Sequence, residues 1–264
     1  MNFKNFGSQK YLLSEKMSGF SSLAHCFTTR EGGFSTGKIQ GLNLGFRVGD
    51  TPENVMKNYR QVCDDMGFSF DNIVLSRQEH TDNIRIVKEE DKGKGLAKES
   101  DIFSTDGLIT NLKNVPLGIF YADCVPVLLY DREKQVIGAI HSGWRGTVMG
   151  ISAKAVEIFK EKFGSEVKDI VCAIGPCIGP CCFEVQEDVA QHFDSKYVIK
   201  KENGRFNIDL WKANVDILVS AGVPRENIDI AEECTKCKNQ IYYSYRAHGK
   251  EHTGRMCAFI ELKD

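Results

Sequence analysis

The stretch YADCVPVLLYDREKQVIGAIHSGWRG, residues 121–146, decides the fold, because a polar turn separates two apolar runs. Val125–Tyr130 and Gln135–Ile140 are rich in β-branched and aliphatic residues, and Asp131-Arg132-Glu133-Lys134 lies between them, which predicts an antiparallel hairpin. Counting outward from the midpoint between Arg132 and Glu133 sets Cys124 opposite His141 at the open end. Directly opposed residues share a face with Cβ atoms roughly 5 Å apart, which suits a shared metal ion or a thiolate-imidazolium pair.

Working outward, further apolar runs at Ile73–Leu75, Ile84–Val87, Gly107–Ile109, Leu117–Tyr121, Ile170–Ile174 and Ala258–Leu262 read as strands. Helices interrupt them. Thr51-Pro52-Glu53 is a helix start, and Val55, Tyr59, Val62 and Met66 follow at helical spacing until Gly67. The spacing predicts a second helix over 147–163 and a third over 209–221, the latter stopped by Gly222 and Pro224. The hairpin connections argue for a mixed, largely antiparallel sheet flanked by helices, an α/β (α+β) fold and not a doubly wound parallel one. The turn-rich segments 31–49 and 89–100 read as surface loops.

At 264 residues and 42% hydrophobic, the chain can bury one large core, so a single domain over 1–264 is expected, with two as the alternative. A net charge of -2 supplies no basic field for nucleic acid or an anionic membrane, which leaves a small molecule as the expected partner. No run approaches the roughly 20 apolar residues of a membrane span, and the N-terminus shows no export pattern, so a cytoplasmic protein is expected. Its ten cysteines then read as reduced thiols, metal ligands or catalytic groups.

His80, in LSRQEHTDN, completes a His2Cys set with Cys124 and His141. Three protein ligands with an open fourth position are the usual make-up of a catalytic zinc site, where the metal acidifies water or polarises a substrate oxygen. Two glycines and Arg145 follow His141 in SGWRG, and Arg30, Arg47, Arg246 and Arg255 also sit near glycine turns, the pattern of a phosphate or carboxylate subsite. Cys172, Cys177, Cys181 and Cys182 form one cysteine group and Cys234 with Cys237 another. The neighbours Cys181 and Cys182 would point to opposite sides of a strand, so these thiols read as packing groups, with a second metal site as the weaker alternative.

Seven ordered motifs resemble the YfiH/YlmD-like family, known as polyphenol oxidases or laccases and as purine nucleoside phosphorylases: TTREGGFSTG (28–37), NLGFRVGD (43–50), Gln78-Glu79-His80, ADCVPVLLYD (122–131), HSGWRG (141–146), IGPCIGPCCFEV (174–185) and YSYRAHGKEHTGR (243–255). The resemblance implies that His80, Cys124 and His141 bind Zn2+ and form the catalytic centre, with Cu as the alternative metal on the same ligands. It also implies a layered fold resembling the catalytic domain of cytotoxic necrotizing factor, a Cys-His deamidase toxin. The activities it implies are phosphorolysis of adenosine, inosine, guanosine and methylthioadenosine, and deamination of adenosine, with purine nucleosides and phosphate as partners. Arg30, Asn43, Arg47, Arg145 and Arg246 are the candidate substrate and phosphate residues, with Arg145 first. A proton shuttle would come from Asp123, Asp106 or Glu184. This chain has Thr81 and Ser142 where family members often carry Gly and Ala, and neither change removes a ligand.

A multicopper oxidase needs about ten histidines for its copper sites. The chain has six, so that mechanism cannot be assembled from it. The rival readings are a metal-free hydrolase with Cys124 as nucleophile and His141 as base, a copper-binding oxidoreductase using the single His2Cys site, and a non-catalytic metal or thiol protein.

Overall fold

The computed structural model describes residues 1–249 and 252–264. Lys250 and Glu251, inside the 243–255 motif, lie outside the described residues. The strands are β1 (Asn2–Phe6), β2 (Gln9–Leu13), β3 (Leu23–Thr28), β4 (Val74–Leu75), β5 (Ile84–Ile86), β6 (Gly107–Thr110), β7 (Leu117–Tyr121), β8 (Val125–Asp131), β9 (Val136–Ser142), β10 (Ile170–Ile174), β11 (Glu184–Val185), β12 (Val198–Lys200), β13 (Phe206–Ile208), β14 (Ile228–Ile230) and β15 (Met256–Leu262). The helices are α1 (Glu15–Ser18), α2 (Pro52–Met66), α3 (Trp144–Val148), α4 (Ile151–Phe163), α5 (Glu187–Ala190), α6 (Leu210–Ser220) and α7 (Tyr245–His248).

Two six-stranded sheets carry the fold, in the orders β1-β2-β3-β15-β7-β4 and β14-β10-β8-β9-β6-β5, beside a small sheet β11-β13-β12. Pairing is antiparallel except at β4-β7, β5-β6 and β10-β14, so the expected mixed, largely antiparallel arrangement is what forms. Alternation along each strand sorts side chains into three apolar layers. Leu128, Tyr130, Ile137 and Ala139 of the second sheet pack with Phe27, Ile119 and Ala258 of the first, which sets the sheets face to face. On the outer face of the second sheet, Val127, Leu129 and Cys172 meet Ile151, Phe159 and Leu218 from α4 and α6. Beyond the first sheet, Cys26 and Phe259 meet Val55, Tyr59 and Val62 of α2. The order of layers is therefore helix, sheet, sheet, helices. No helix among the described residues is long and apolar enough to cross a membrane.

Local chemistry sets the helix ends. Thr51 accepts the N–H of Asn54, Pro52 opens α2, and Gly67 closes it in the left-handed region at φ 70°. Asp209 caps α6 by accepting the N–H of Lys212. The helix expected over 147–163 is instead two, α3 and α4, because Gly150 takes φ 71° between them.

The hairpin register also differs from the count. Asp131 pairs with Val136, and its Oδ1 accepts the N–H groups of Glu133 and Lys134, while Gln135 adopts φ 51° and stays in the turn. His141 therefore faces Pro126, and Val125 faces Ser142. A shift of two positions leaves every residue on its original face. Cys124 thus stays on the side of His141, one residue before β8 begins, at the end of the space between the two sheets.

Candidate metal centre

Three separate pieces of backbone bring His80, Cys124 and His141 together. His80 lies in the segment after β4 and holds φ 61°; Cys124 follows Asp123, at φ 90°; His141 is the next-to-last residue of β9. Such left-handed conformations in non-glycine residues are costly and cluster at functional sites. The His80 and His141 ring centroids are 5.0 Å apart, and Cys124 Sγ is 3.7 Å from His80 Nε2. All three donor atoms fall within 4.8 Å of one another. A tetrahedral ion with Zn–N and Zn–S bonds of about 2.1 and 2.3 Å separates N from S by about 3.6 Å, so the donor set fits such an ion. Gly143 completes the close approach, since a Cβ there would meet His80 Cδ2 at 2.9 Å and Cys124 Sγ at 3.2 Å.

Asp106 organises the site from behind. Its Oδ1 lies 2.7 Å from His141 Nδ1 and accepts the N–H of His80, and its Oδ2 accepts the N–H groups of Glu79 and Thr81 and the Thr81 hydroxyl. Burial opposes its charge, but His141 and these donors hold the carboxyl at about 2. An ionised carboxylate only accepts, so the His141 hydrogen sits on Nδ1 and Nε2 is left for a metal. Burial would raise the Cys124 thiol, yet the imidazoles of His141 and His80 draw it down to about 6. Burial likewise opposes charge on His141, which Cys124 and Asp106 outweigh, raising it to about 9. Thiolate is thus the favoured state of the sulfur, as a metal ligand or a nucleophile requires.

The three side chains open on a cavity of about 860 Å3, a volume typical of small-molecule sites. The aromatic residues Phe46, Phe120, Trp144 and Phe183 line it, together with Arg47, Arg77, Arg246 and Arg255; Arg246 Nη1 also donates to the Glu184 carbonyl, and Arg255 Nη1 to the carbonyls of Thr253 and Gly254. The segments read as surface loops, 31–49 and 89–100, supply part of this wall through Arg47 and Lys98.

The structure brings Arg47 and Arg246 to the cavity but not Arg30, Asn43 or Arg145. Arg145 is exposed and lies over the Trp144 ring, its guanidinium carbon 4.4 Å from the ring centroid, so Trp144 and not Arg145 forms the cavity wall. Arg30 stacks on Tyr243 and donates to the carbonyl oxygens of Asn239 and Gln40. Asn43 is buried, accepts the N–H of Arg255 and so supports the wall from outside it. Arg255 itself lines the cavity and was left out of the candidate set; its place in the motif that carries Arg246 was the available signal. None of the three shuttle candidates offers a free carboxylate. Asp106 is fully committed, Asp123 accepts from the Thr235 hydroxyl and the Arg246 N–H, and Glu184 pairs with Lys201.

Among the described residues one further group could hold a metal: Cys181, Cys182, Cys234 and Cys237. The two cysteine groups, read as separate in the sequence, therefore meet in one cluster. Cys181 and Cys182 lie in a turn before β11 and not in a strand, so consecutive side chains reach one side. Cys172 and Cys177 are buried in the core as expected, with Cys177 Sγ accepting the Trp211 indole N–H.

A family model described as multi-copper polyphenol oxidoreductase laccase matches residues 24–263. The chain belongs to this family, that of the YfiH/YlmD-like proteins. Among its relatives is the purine nucleoside phosphorylase YlmD of Bacillus subtilis, 35% identical over 90% of this chain and 88% of that protein. Another is the protein named adenosine deaminase RL5, from an unknown prokaryotic organism, 33% identical over 79% of this chain and 82% of the relative. The crystal structure of YlmD from Geobacillus stearothermophilus superposes with a TM-score of 0.91 at 31% identity, covering 99% of both chains. The family's copper-oxidase description meets the same obstacle in the structure as in the histidine count. Beyond His80 and His141, His25 is buried and accepts the Ser14 N–H, and His192 stacks on Trp144, so neither joins a copper cluster.

Proposed function

We propose that this family member is a zinc-dependent purine nucleoside enzyme acting as one catalytic unit over residues 1–264. It cleaves adenosine, inosine, guanosine and methylthioadenosine with phosphate and deaminates adenosine, in the cytoplasm. The observation that carries this reading is the His80, Cys124 and His141 donor set opening on a cavity that combines aromatic walls with four arginines. The names of the relatives point the same way.

Zn2+, or Cu at the same ligands, would be held by His80, Cys124 and His141 and would supply Lewis acidity beside the substrate. Asp106 keeps His141 Nε2 aimed at that position throughout. Phe46, Phe120, Trp144 and Phe183 offer faces for a purine ring, and arginine forks suit phosphate oxygens through paired N–H donors. In phosphorolysis a phosphate oxygen bonds to ribose C1′ as the bond from C1′ to the purine nitrogen breaks. Deamination occurs at C6, far from C1′, so the two reactions use two poses. Incubation with a nucleoside panel, with and without phosphate, followed by chromatography, tests the reading. Inosine should give hypoxanthine and ribose 1-phosphate only when phosphate is supplied, and adenosine should give inosine without it. Free ribose formed equally well without phosphate would mark a hydrolase instead.

A second reading is favoured by the thiolate-imidazolium polarity of Cys124 and His141, which suits a metal-free Cys-His hydrolase. Turnover that survives complete metal removal, yet is lost on alkylating Cys124, would establish it.

A further inference from the structure

Cys181 and Cys182 lie between β10 and β11, and Cys234 and Cys237 lie between β14 and α7. More than fifty positions apart in sequence, the two pairs converge: Cys237 Sγ is 3.5 Å from Cys181 Sγ and 3.4 Å from Cys182 Sγ. All four sulfurs lie within 4.8 Å of one another. Zn–S bonds of about 2.3 Å in a tetrahedron set neighbouring sulfurs about 3.8 Å apart. The cluster therefore already has the dimensions of a four-sulfur shell. The Gly179 N–H points at Cys234 Sγ from 3.3 Å, a donor that stabilises sulfur carrying negative charge.

We propose that Cys181, Cys182, Cys234 and Cys237 form a second, structural metal centre, a closed tetrathiolate site for zinc that shares no ligand with His80, Cys124 and His141. A four-protein-ligand shell leaves no position for substrate, which makes its role mechanical. It staples the turn carrying Ile178 and Phe183 to the segment carrying Tyr245 and Arg246, and all four of those residues line the cavity. Backbone bonds join the same two segments: Cys177 donates to the Glu233 carbonyl, and Thr235 donates to the Cys177 carbonyl.

Metal analysis and zinc-edge X-ray absorption, on protein purified without chelators, test the site independently of any nucleoside activity. Wild-type protein should carry two metal ions per chain. In Cys124→Ala, which removes a ligand of the other centre, the zinc that remains should show sulfur neighbours alone. The double variant Cys181→Ser/Cys237→Ser should lose one ion and keep a shell containing nitrogen; should that variant not fold, the Cys124→Ala spectrum still decides. One ion per wild-type chain that disappears in Cys124→Ala would overturn the proposal. So would a Cys234-Cys237 disulfide found by mass spectrometry in the freshly isolated protein, which would make the cluster a thiol pair.

Discussion

Because Asp106 accepts from His141 Nδ1 and from the N–H groups of Glu79, His80 and Thr81, one carboxylate fixes an imidazole tautomer and the turn that carries the second histidine. Asp106→Asn should therefore weaken zinc binding roughly 10- to 100-fold while the protein stays folded. Competition against a chromophoric chelator measures this, and an unchanged affinity would remove the role assigned to Asp106. His25 tests the core in a different way. It is buried and accepts the Ser14 N–H, and burial lowers it to about 4 despite the nearby Asp229 carboxylate. An unfolded histidine titrates near 6.5, so as pH falls the unfolded chain takes up the proton first. The associated stability is fully present above about 6.5 and is lost as pH drops through about 4, a swing of about 3 kcal/mol. Urea titrations at pH 7.5 and 4.5 should show that loss, and His25→Gln should reduce it; equal slopes with pH in both proteins would contradict the assignment. At this scale the sequence showed which residue types were present and not which were spent. Asp106 read as a shuttle candidate because its five donors come from two distant segments, 79–81 and His141, that only the fold brings to it.

The hairpin shows how an element can be legible while its register is not. The apolar runs and the polar turn are plain in the sequence, but the turn's residues are sorted by Asp131 accepting two backbone N–H groups and by Gln135 at positive φ, neither of which a strand pattern encodes. The side-chain period of two preserved the face, so Cys124 and His141 still converge without being partners. Likewise the helical spacing over 147–163 ran through Gly150, whose conformation divides α3 from α4. β1 gave no signal because NFKNF is an exposed edge strand with Lys4 in its middle, and edges are commonly protected by charge. Gly143, the residue before α3, should be the least replaceable position between the hairpin and the helix. Gly143→Ala forces His80 or Cys124 to move, so metal content and turnover should fall at least tenfold while the far-ultraviolet circular dichroism is kept. Wild-type metal content in that variant would show that the site has slack that the geometry denies.

Across the whole molecule, four layers place the ends of β4, β7, β8 and β9 around one cavity, and segments distant in sequence, α7 among them, supply its arginines. Composition and motifs conveyed the fold class and named the three residues that converge at the cavity, but which arginines line it depends on how distant segments close, and Arg145 stays outside while Arg255 lines the wall. Arg255→Lys keeps charge but loses the planar fork, so phosphorolysis of inosine should fall about tenfold or more, whereas Arg145→Lys should change it less than twofold. Steady-state rates at varied phosphate distinguish the two; the reverse ranking would move the phosphate subsite to α3. The central claim is that nucleoside cleavage depends on a metal ion held by His80, Cys124 and His141. Its most direct test measures bound metal and inosine phosphorolysis side by side in wild type and Cys124→Ala. Loss of one metal ion per chain together with loss of ribose 1-phosphate formation is expected, with the thermal transition retained. Full turnover in Cys124→Ala, or full turnover in wild-type protein stripped of metal, would contradict the claim.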